Sequence, residues 1–584
     1  MKYKTIILTT LIIMLFIPVV SAQKGHTTLL TVYEEGNETL GGTADLYLEI
    51  KPGTGRVFID SYPLTKIDTQ ISTRYAQQIA CDFLEKDCTT KDFFYTIRAK
   101  SNIVGGPSAS GAMTILTILL LEGEEINQDI TMTGTINSGG IIGAVAGIKE
   151  KTEAAKDKGL KKILIPKWSI VDIEENNKTQ NNTNETPKIT YAENYTIEGI
   201  QVIPITTIQE ALKEFTGKQY ETHEGPIKIP TQYQEIMKQV SNQLCERAQK
   251  ILENLNETNQ TQLNSSINYL NKSKEATKKD DHYSAASFCF SANTRLREIQ
   301  YQNETNQTKQ KILTEIQQKT KEMLNNLEKI PIKTISNLET YIIVKERLTE
   351  TQELIQENKT EALNSIGYIT ERFYSAIAWS KFFEYKGKEI QIDEKHLKQA
   401  CQDKIAEVQE RQEYLNVFIQ GIYEEDKLPE LRKIEQKEDY AFCLFRASKY
   451  KADINSIIST ISLTIEKMPD LTNDKLKIAQ AQINKQGESF PILGYSYYNY
   501  AQNLQETDKT LALLFSEYSI ELSNLDIYFP KKQKINISID YEKLKTFTIG
   551  LIIGIIATLI TIKTKKSEPK KRNNPPKRKT HSKS

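Results

Sequence analysis

The 584-residue chain has little net charge, little glycine and proline, and few histidines. Its 76 basic and 75 acidic residues nearly cancel, which argues against a nucleic-acid binder whose whole surface is basic. With 26 glycines and 17 prolines, the chain is neither collagen-like nor broadly disordered. We therefore expect a globular protein of several domains, and we predict no metal, no cofactor and no nucleic-acid partner.

Only two long apolar runs interrupt this composition, and the first is at the N-terminus. Lys2 and Lys4 precede an apolar stretch from Ile6 to Val20, and the small residues Ser21 and Ala22 follow it. This pattern is typical of a secretory signal peptide, residues 1–22, cleaved after Ala22. An uncleaved signal anchor is the alternative. Either one directs the chain out of the cytoplasm.

The second apolar run covers residues 547–562 and is followed by a basic tail, residues 563–584. The run predicts one transmembrane helix, extended by flanking residues. The tail carries ten Lys and Arg residues and one acidic residue. By the positive-inside rule the tail is cytoplasmic, so we predict a single-pass cell-membrane protein with its bulk outside.

Sequons and cysteines agree with an exported protein. Thirteen Asn-x-Ser/Thr sequons lie between the two apolar runs, although an Asn- and Thr-rich composition also produces sequons by chance. Six cysteines fall into three neighbouring pairs along the chain, 81 and 88, 245 and 289, and 401 and 443. An even count predicts disulfides, and we expect the last two pairs to join helices. If Cys81 and Cys88 pair, the helix that carries Cys81 must end near Glu85.

The chain between the apolar runs divides into two regions of different pattern. Residues 24–217 predict an α+β domain, with strands at 27–33, 44–50, 93–99, 130–133, 162–165 and 201–204 and helices at 71–85, 108–121, 148–158 and 208–215. Residues 174–193 predict a surface loop, and residues 218–231 predict a linker. Residues 232–530 repeat apolar positions every three or four residues, which predicts an all-α region of helical hairpins.

One segment of the first region suits a nucleophile. Gly105, Gly106 and Pro107 precede Ser108, and Ala109 leads into an apolar helix pattern. Ser108 would lie at a helix N-terminus, where amide groups and the helix dipole favour a developing oxyanion. A simple helix cap is the alternative for Ser108. The chain has only five histidines, none in an obvious motif, so a histidine base is poorly supported.

The other available base is a lysine whose pKa burial has lowered. In the helix predicted at 148–158, Lys151 shares a face with Ile148, Ala154 and Ala155. Lys149 lies on a solvated face instead. Lys151 is therefore predicted to point into the core, with a surface lysine as the alternative.

These residues carry a resemblance to a known family. The segments PSASG at 107–111, MTG at 132–134 and GIKEK at 147–151, with Gly159, Pro166 and the closing strand and helix, resemble the proteolytic domain of Lon proteases over about residues 27–216. The resemblance implies an α+β Lon-type fold with Ser108 as nucleophile, Lys151 as general base and Thr133 bonded to that lysine. Gly106, Pro107 and Ala109 would form the turn around the oxyanion. Two positions along the predicted helix from Ser108, Ser110 is expected to point away from the site.

The resemblance also implies an ATP-independent serine endopeptidase acting on exported or membrane-proximal polypeptides. No phosphate-binding loop of the form G-x4-G-K-[ST] occurs in these residues. Lon domains tend to form hexameric rings, which implies a homo-oligomer. Gly105, Ser110 and Thr135 depart from the family, where an acid, a glycine and a glutamate stand. A membrane-anchored binding scaffold that has lost catalysis is therefore the alternative.

Overall fold

The structure, a computed structural model, describes residues 22–36, 38–174, 188–255, 260–357, 359–419, 426–461, 463–530 and 548–559. The predicted signal peptide, except Ala22, the basic tail and residues 175–187 of the predicted loop lie outside the described residues. The described residues as far as position 530 belong to one compact unit. The predicted α+β and helical regions therefore pack together rather than standing apart.

The first region is built from short sheets and four helices. Its strands are β1 (Gln23–Glu35), β2 (Glu38–Pro52), β3 (Val57–Thr65), β4 (Lys91–Val104), β5 (Ile130–Met132), β6 (Thr135–Asn137), β7 (Ile141–Gly143), β8 (Lys162–Pro166), β9 (Ile170–Glu174), β10 (Lys188–Tyr191) and β11 (Gln201–Ile205). Its helices are α1 (Ile67–Phe83), α2 (Ser110–Glu122), α3 (Ile148–Asp157) and α4 (Ile208–Thr216). The predicted strands and helices each overlap an observed one.

Two of these sheets carry the region. A four-stranded sheet has the order β1-β2-β4-β3, with β3 parallel to β4 and the other pairs antiparallel. A parallel three-stranded sheet has the order β11-β8-β5. In β2, Leu46, Leu48 and Ile50 are buried at alternate positions, as expected for a strand with one face on the core.

Strand β3 was not predicted, and neither were the short strands β6, β7, β9 and β10. Strand β3 lies at a sheet edge and contains Pro63, a residue that interior strands exclude but edge strands accept. Strand β10 occupies part of the predicted loop at 174–193, so that prediction was wrong for residues 188–191. There β10 pairs with β9, which satisfies both backbones.

The second region is all-α among the residues that the structure describes. Its helices are α5 (Thr231–Glu253), α6 (Gln260–Lys278), α7 (His282–Gln302), α8 (Asn306–Leu327), α9 (Ile335–Glu357), α10 (Lys359–Asn364), α11 (Ile366–Trp379), α12 (Glu394–Ile419), α13 (Leu428–Gln436), α14 (Tyr440–Ile461), α15 (Met468–Gln486), α16 (Ile492–Leu504) and α17 (Lys509–Leu522). The predicted linker contains no helix or strand before Thr231. It packs against α15, where the Asn484 side-chain amide donates hydrogen bonds to the carbonyls of His223 and Gly225, both at 3.0 Å.

All six cysteines form disulfides. Cys245–Cys289 joins α5 to α7, and Cys401–Cys443 joins α12 to α14, which confirms the two predicted helix pairs. Cys81–Cys88 also forms, with a Cα–Cα distance of 6.1 Å. Helix α1 ends at Phe83, which brings the two chain segments within disulfide reach.

The described residues do not contain the predicted transmembrane helix. Within the described parts of the chain, no helix combines the length and apolar character that a membrane crossing requires. Of the predicted span 547–562, the structure describes only residues 548–559, which are helical. Residue 547 and residues 560–562 lie outside the described part.

Candidate active site

The nucleophile candidate lies in a tight turn between β4 and α2. Ser108 is in a 3₁₀ turn, Pro107–Ala109, and α2 begins only at Ser110, so the predicted helix start at 108 is two residues early. Gly106 enters this turn with φ of 95°, a conformation that favours glycine. Ser108 is half-buried, at the junction of core and solvent.

A carboxylate from another element holds this turn. The Asp68 Oδ2 atom, in the first turn of α1, accepts a hydrogen bond from the Gly106 amide at 2.9 Å. Asp68 is only 8% exposed. Sequence reasoning missed Asp68 because nothing in the local pattern of α1 distinguishes it from an acid that favours a helix N-terminus.

Ser110 supports the turn from inside, which corrects the prediction that it lies away from the site. Its hydroxyl donates to the Pro107 carbonyl at 2.7 Å and accepts from the Ile136 amide at 2.8 Å. Ser110 is 1% exposed. Because α2 begins at Ser110 rather than at Ser108, this side chain faces the turn and strand β6.

Thr133 and Gly134 attach the nucleophile turn to the end of β5. The Gly134 amide donates to the Ser108 carbonyl at 2.9 Å, and the Thr133 hydroxyl donates to the same carbonyl at 3.4 Å. Among the described residues, the expected hydrogen bond between Thr133 and Lys151 does not form. Thr133 instead contacts the backbone of the nucleophile turn.

The base candidate lies on α3 and faces the protein interior, as predicted. Lys151 is 2% exposed, and burial lowers its pKa to about 7, against a small opposing effect from the Glu150 carboxylate. Gly41 of β2 allows the helix to pack this closely, because a Cβ at position 41 would lie 1.9 Å from the Glu150 carbonyl oxygen. No carboxylate pairs with the Lys151 ammonium within the described part of the chain.

Lys149, two residues earlier, has the opposite environment. Its ammonium pairs with the Asp172 carboxylate at 2.9 Å, and its side chain is 45% exposed. The hydrogen bond and charge of Asp172 raise the pKa of Lys149. The predicted difference between the two lysines of this helix is therefore confirmed.

The segments that carry Ser108 and Lys151 are connected along the chain through β6 and β7. Gly134, bonded to Ser108, precedes Thr135, which pairs with Gly143 of β7. The chain then reaches Gly147, whose carbonyl accepts the Lys151 amide at 3.0 Å. Among the described residues, no hydrogen bond joins the Ser108 hydroxyl to the Lys151 ammonium.

Two of the three residues predicted around the oxyanion shape the turn instead. The Gly106 amide is occupied by Asp68, and Pro107 has no amide hydrogen. Ala109 forms the last residue of the 3₁₀ turn. An oxyanion here would need amide groups at or after Ser108.

Comparison with known proteins places this site in a family. Residues 76–214 match the model of the Lon protease (S16) C-terminal proteolytic domain. Residues 76–214 are thus similar to a Lon proteolytic domain, and the first region, which contains them, is called the proteolytic domain below. The match includes Ser108, Thr133 and Lys151, and it stops before the helical region begins.

Individual Lon proteases are similar over the same part of the chain. The Lon protease of Lachnoclostridium phytofermentans is 28% identical over 181 residues, 30% of this chain and 20% of that protein. The archaeal Lon protease of Methanocaldococcus jannaschii is 27% identical over 124 residues, 21% of this chain and 16% of that protein. The Lon protease of Fervidobacterium nodosum is 33% identical over 138 residues, 23% of this chain and 17% of that protein. The chain thus spans no more than a fifth of the length of these relatives.

Proposed function

We propose that this protein is a serine endopeptidase that uses Ser108 and Lys151 as a dyad, without ATP. The observation that carries the proposal is Lys151, a buried lysine with no carboxylate partner among the described residues, in the matched Lon domain. A lysine with a pKa of about 7 is substantially neutral at physiological pH and can accept a proton.

The proposed reaction has two steps. Neutral Lys151 removes the proton from the Ser108 hydroxyl, whose oxygen attacks the peptide carbonyl, and the Lys151 ammonium then protonates the leaving amine. This gives an acyl-enzyme on Ser108. Lys151, neutral again, takes a proton from a water molecule that attacks the ester, and returns it to the Ser108 oxygen as the ester bond breaks and the second product leaves. Both steps need the serine and lysine side chains to approach within hydrogen-bond distance, which often occurs only with substrate bound.

The substrate is proposed to be an extended polypeptide with apolar side chains. Strand β3 and the start of α1 lead directly to Asp68, which holds the nucleophile turn. Along this path Tyr62, Leu64 and Ile67 are 73%, 77% and 57% exposed. An exposed apolar strip beside a nucleophile suits apolar residues near the cleaved bond. The double variant Leu64→Ser and Ile67→Ser should cleave a peptide library with less preference for apolar residues near the cleaved bond than the wild-type protein.

The location is proposed to be outside the cytoplasm, with the protein anchored through the apolar run at 547–562. Three disulfides support this location, because cytoplasmic thiols are kept reduced. Protease added to intact cells should degrade the folded body and leave a small C-terminal fragment. Full protection of the body would contradict this location.

The test of the proposed activity is covalent labelling with a serine-reactive fluorophosphonate. Mass mapping should place the phosphonyl group on Ser108 in the full-length protein, and Ser108→Ala should abolish labelling. Lys149→Ala is the matched control, since its ammonium pairs with Asp172 at the surface. It should label like the wild type.

The alternative is a catalytically inactive Lon-type scaffold that binds partners at the membrane. One observation favours it, namely that no hydrogen bond joins Ser108 to Lys151 among the described residues. A scaffold would leave Ser108 unlabelled at every pH. Labelling of Ser108 that depends on Lys151 would exclude it.

A further inference from the structure

Helix α12 of the helical region binds two backbone carbonyls of the proteolytic domain. The Arg411 Nη2 atom donates to the Ile136 carbonyl at 2.9 Å, and the Tyr414 hydroxyl donates to the Ala144 carbonyl at 3.1 Å. The two side chains are three residues apart on the helix and so share one face. Arg411 is 3% exposed and Tyr414 is 5% exposed.

The Arg411 contact continues to the nucleophile. While the Ile136 carbonyl accepts from Arg411, its amide donates to the Ser110 hydroxyl at 2.8 Å. Ser110 in turn donates to the carbonyl of Pro107, the residue before Ser108, at 2.7 Å. A guanidinium from the helical region is thus connected to the nucleophile turn through three buried hydrogen bonds.

The Tyr414 contact leads to the other half of the dyad. Ala144 lies between the end of β7 and Gly147, which begins the lysine helix α3. The Gly147 carbonyl accepts the Lys151 amide at 3.0 Å. Tyr414 therefore fixes the loop that sets where α3, and with it Lys151, enters the domain.

Helix α12 is itself rigidly held. Its Lys404 ammonium pairs with Glu521 of α17 at 2.5 Å, and its Glu407 carboxylate pairs with Lys451 of α14 at 2.6 Å. All four side chains are 5% exposed or less. Disulfide Cys401–Cys443 fastens the same helix to α14.

We infer that Arg411 and Tyr414 are positioning residues for the dyad, and that helix α12 sets the separation between the Ser108 turn and the Lys151 helix. The inference rests on the proposed function. A rigid helix that binds one carbonyl on each side prevents the two segments from drifting apart. Misplacement of reacting groups by about 1 Å can reduce a rate by about 100-fold.

Phosphonylation kinetics of the full-length protein test this inference, because they separate the maximal rate of Ser108 reaction from the half-saturating concentration. Tyr414→Phe should lower the maximal rate about tenfold and Arg411→Ala about 100-fold. The half-saturating concentration should stay near the wild-type value, since neither residue forms the binding strip. Arg411→Lys should recover part of the rate, because a single ammonium can still reach the Ile136 carbonyl.

Tyr518→Phe is the matched control. Its hydroxyl donates to Asp453 at 2.5 Å, wholly within the helical region. It should react at the wild-type rate. If Arg411→Ala does not fold, the rates of Tyr414→Phe and Arg411→Lys test the positioning role instead.

If Tyr414→Phe and Arg411→Ala both react at the wild-type maximal rate, the positioning role is wrong, while the proposed function stands. Lower rates in Tyr518→Phe equal to those of Tyr414→Phe would also overturn it, by pointing to a general loss of packing. A wild-type protein that is not labelled at Ser108 would overturn the proposed function, and the inference with it.

Discussion

The two regions of the molecule treat buried lysines differently. In the helical region, four buried lysines each pair with a carboxylate: Lys345 with Asp439, Lys404 with Glu521, Lys451 with Glu407 and Lys475 with Glu517. In the described part of the proteolytic domain, Lys151 is buried without such a pair. The first arrangement keeps a lysine charged, and the second favours its neutral form.

The pKa directions of Lys151 and Lys451 differ in the same sense. Burial lowers the pKa of Lys151 to about 7. Burial also opposes the charge of Lys451, but Glu407 and Glu521 outweigh it and raise its pKa. A buried lysine is therefore a candidate base only when no carboxylate lies beside its ammonium group. Helical periodicity in the sequence cannot reveal whether such a carboxylate is present.

The sharpest way to break this comparison is to remove the dyad. Ser108→Ala and Lys151→Ala should each reduce peptide hydrolysis by about 10⁴-fold or more, and the double variant should be no worse, because the pair acts as a unit. Lys151→Arg should also fail, since a guanidinium stays protonated. Steady-state hydrolysis of an unfolded polypeptide measures the loss.

The control for this prediction lies on the other face of α3. Lys149→Ala should retain activity, because its ammonium pairs with Asp172 away from the core. If Lys151→Ala keeps wild-type activity while Lys149→Ala does not, the division between the two kinds of lysine is wrong.

The free energy of unfolding should also distinguish paired buried lysines from the unpaired Lys151. Glu517→Gln leaves buried Lys475 without its carboxylate partner, so the free energy of unfolding should fall by about 3–5 kcal/mol. Lys151→Met should instead raise it at pH 7 by roughly 2–4 kcal/mol, because the folded wild-type protein resists protonation of Lys151. Urea unfolding followed by circular dichroism measures both changes.

The sign of this second change depends on pH. The pKa of Lys151 is about 7 in the folded protein and near 10.4 in the unfolded chain. As the pH falls from about 10.4 to 7, the unfolded chain therefore binds a proton that the folded protein does not. The free energy of unfolding of the wild-type protein decreases over this range. The advantage of Lys151→Met should therefore vanish near pH 10, grow as pH falls to 7, and stay constant below. A pH-independent difference would show that Lys151 is not desolvated.

A smaller effect is expected at Ser110, within the proteolytic domain. Ser110→Ala removes the partners of the Pro107 carbonyl and the Ile136 amide and should lower the free energy of unfolding by about 1–3 kcal/mol. Ser108 labelling should slow about tenfold, because the nucleophile turn loosens. Ser291→Ala, whose hydroxyl bonds only within α7, is the control and should label normally. Unchanged labelling in Ser110→Ala would contradict a support role.

The sequence allowed much of the fold and half of the site to be predicted. Apolar alternation and helical periodicity found the main strands and the long helices, since those patterns record local burial. The same periodicity separated Lys151 from Lys149. The even number of cysteines and their order along the chain found two disulfide pairings. Strand β3 was not predicted, because Pro63 and the exposed apolar side chains are not typical of a strand with one buried face.

The rest of the site could not be predicted because it depends on tertiary contacts. Asp68 reaches Gly106 from 38 residues away, and Arg411 reaches Ile136 from 275 residues away. No local spacing records such pairs. The role of Ser110 was also misjudged, because its hydroxyl bonds to the Pro107 carbonyl and to the Ile136 amide of β6, a strand that was not predicted.

The pH dependence of Ser108 phosphonylation tests the central claim most directly. If unpaired Lys151 is the base, the labelling rate of the wild-type protein should rise with pH through a midpoint near 7, as the ammonium loses its proton. Lys151→Ala should show no such rise, and Lys149→Ala should keep it. A wild-type midpoint near 10.4, the ordinary lysine value, or a rise that survives in Lys151→Ala would contradict the account.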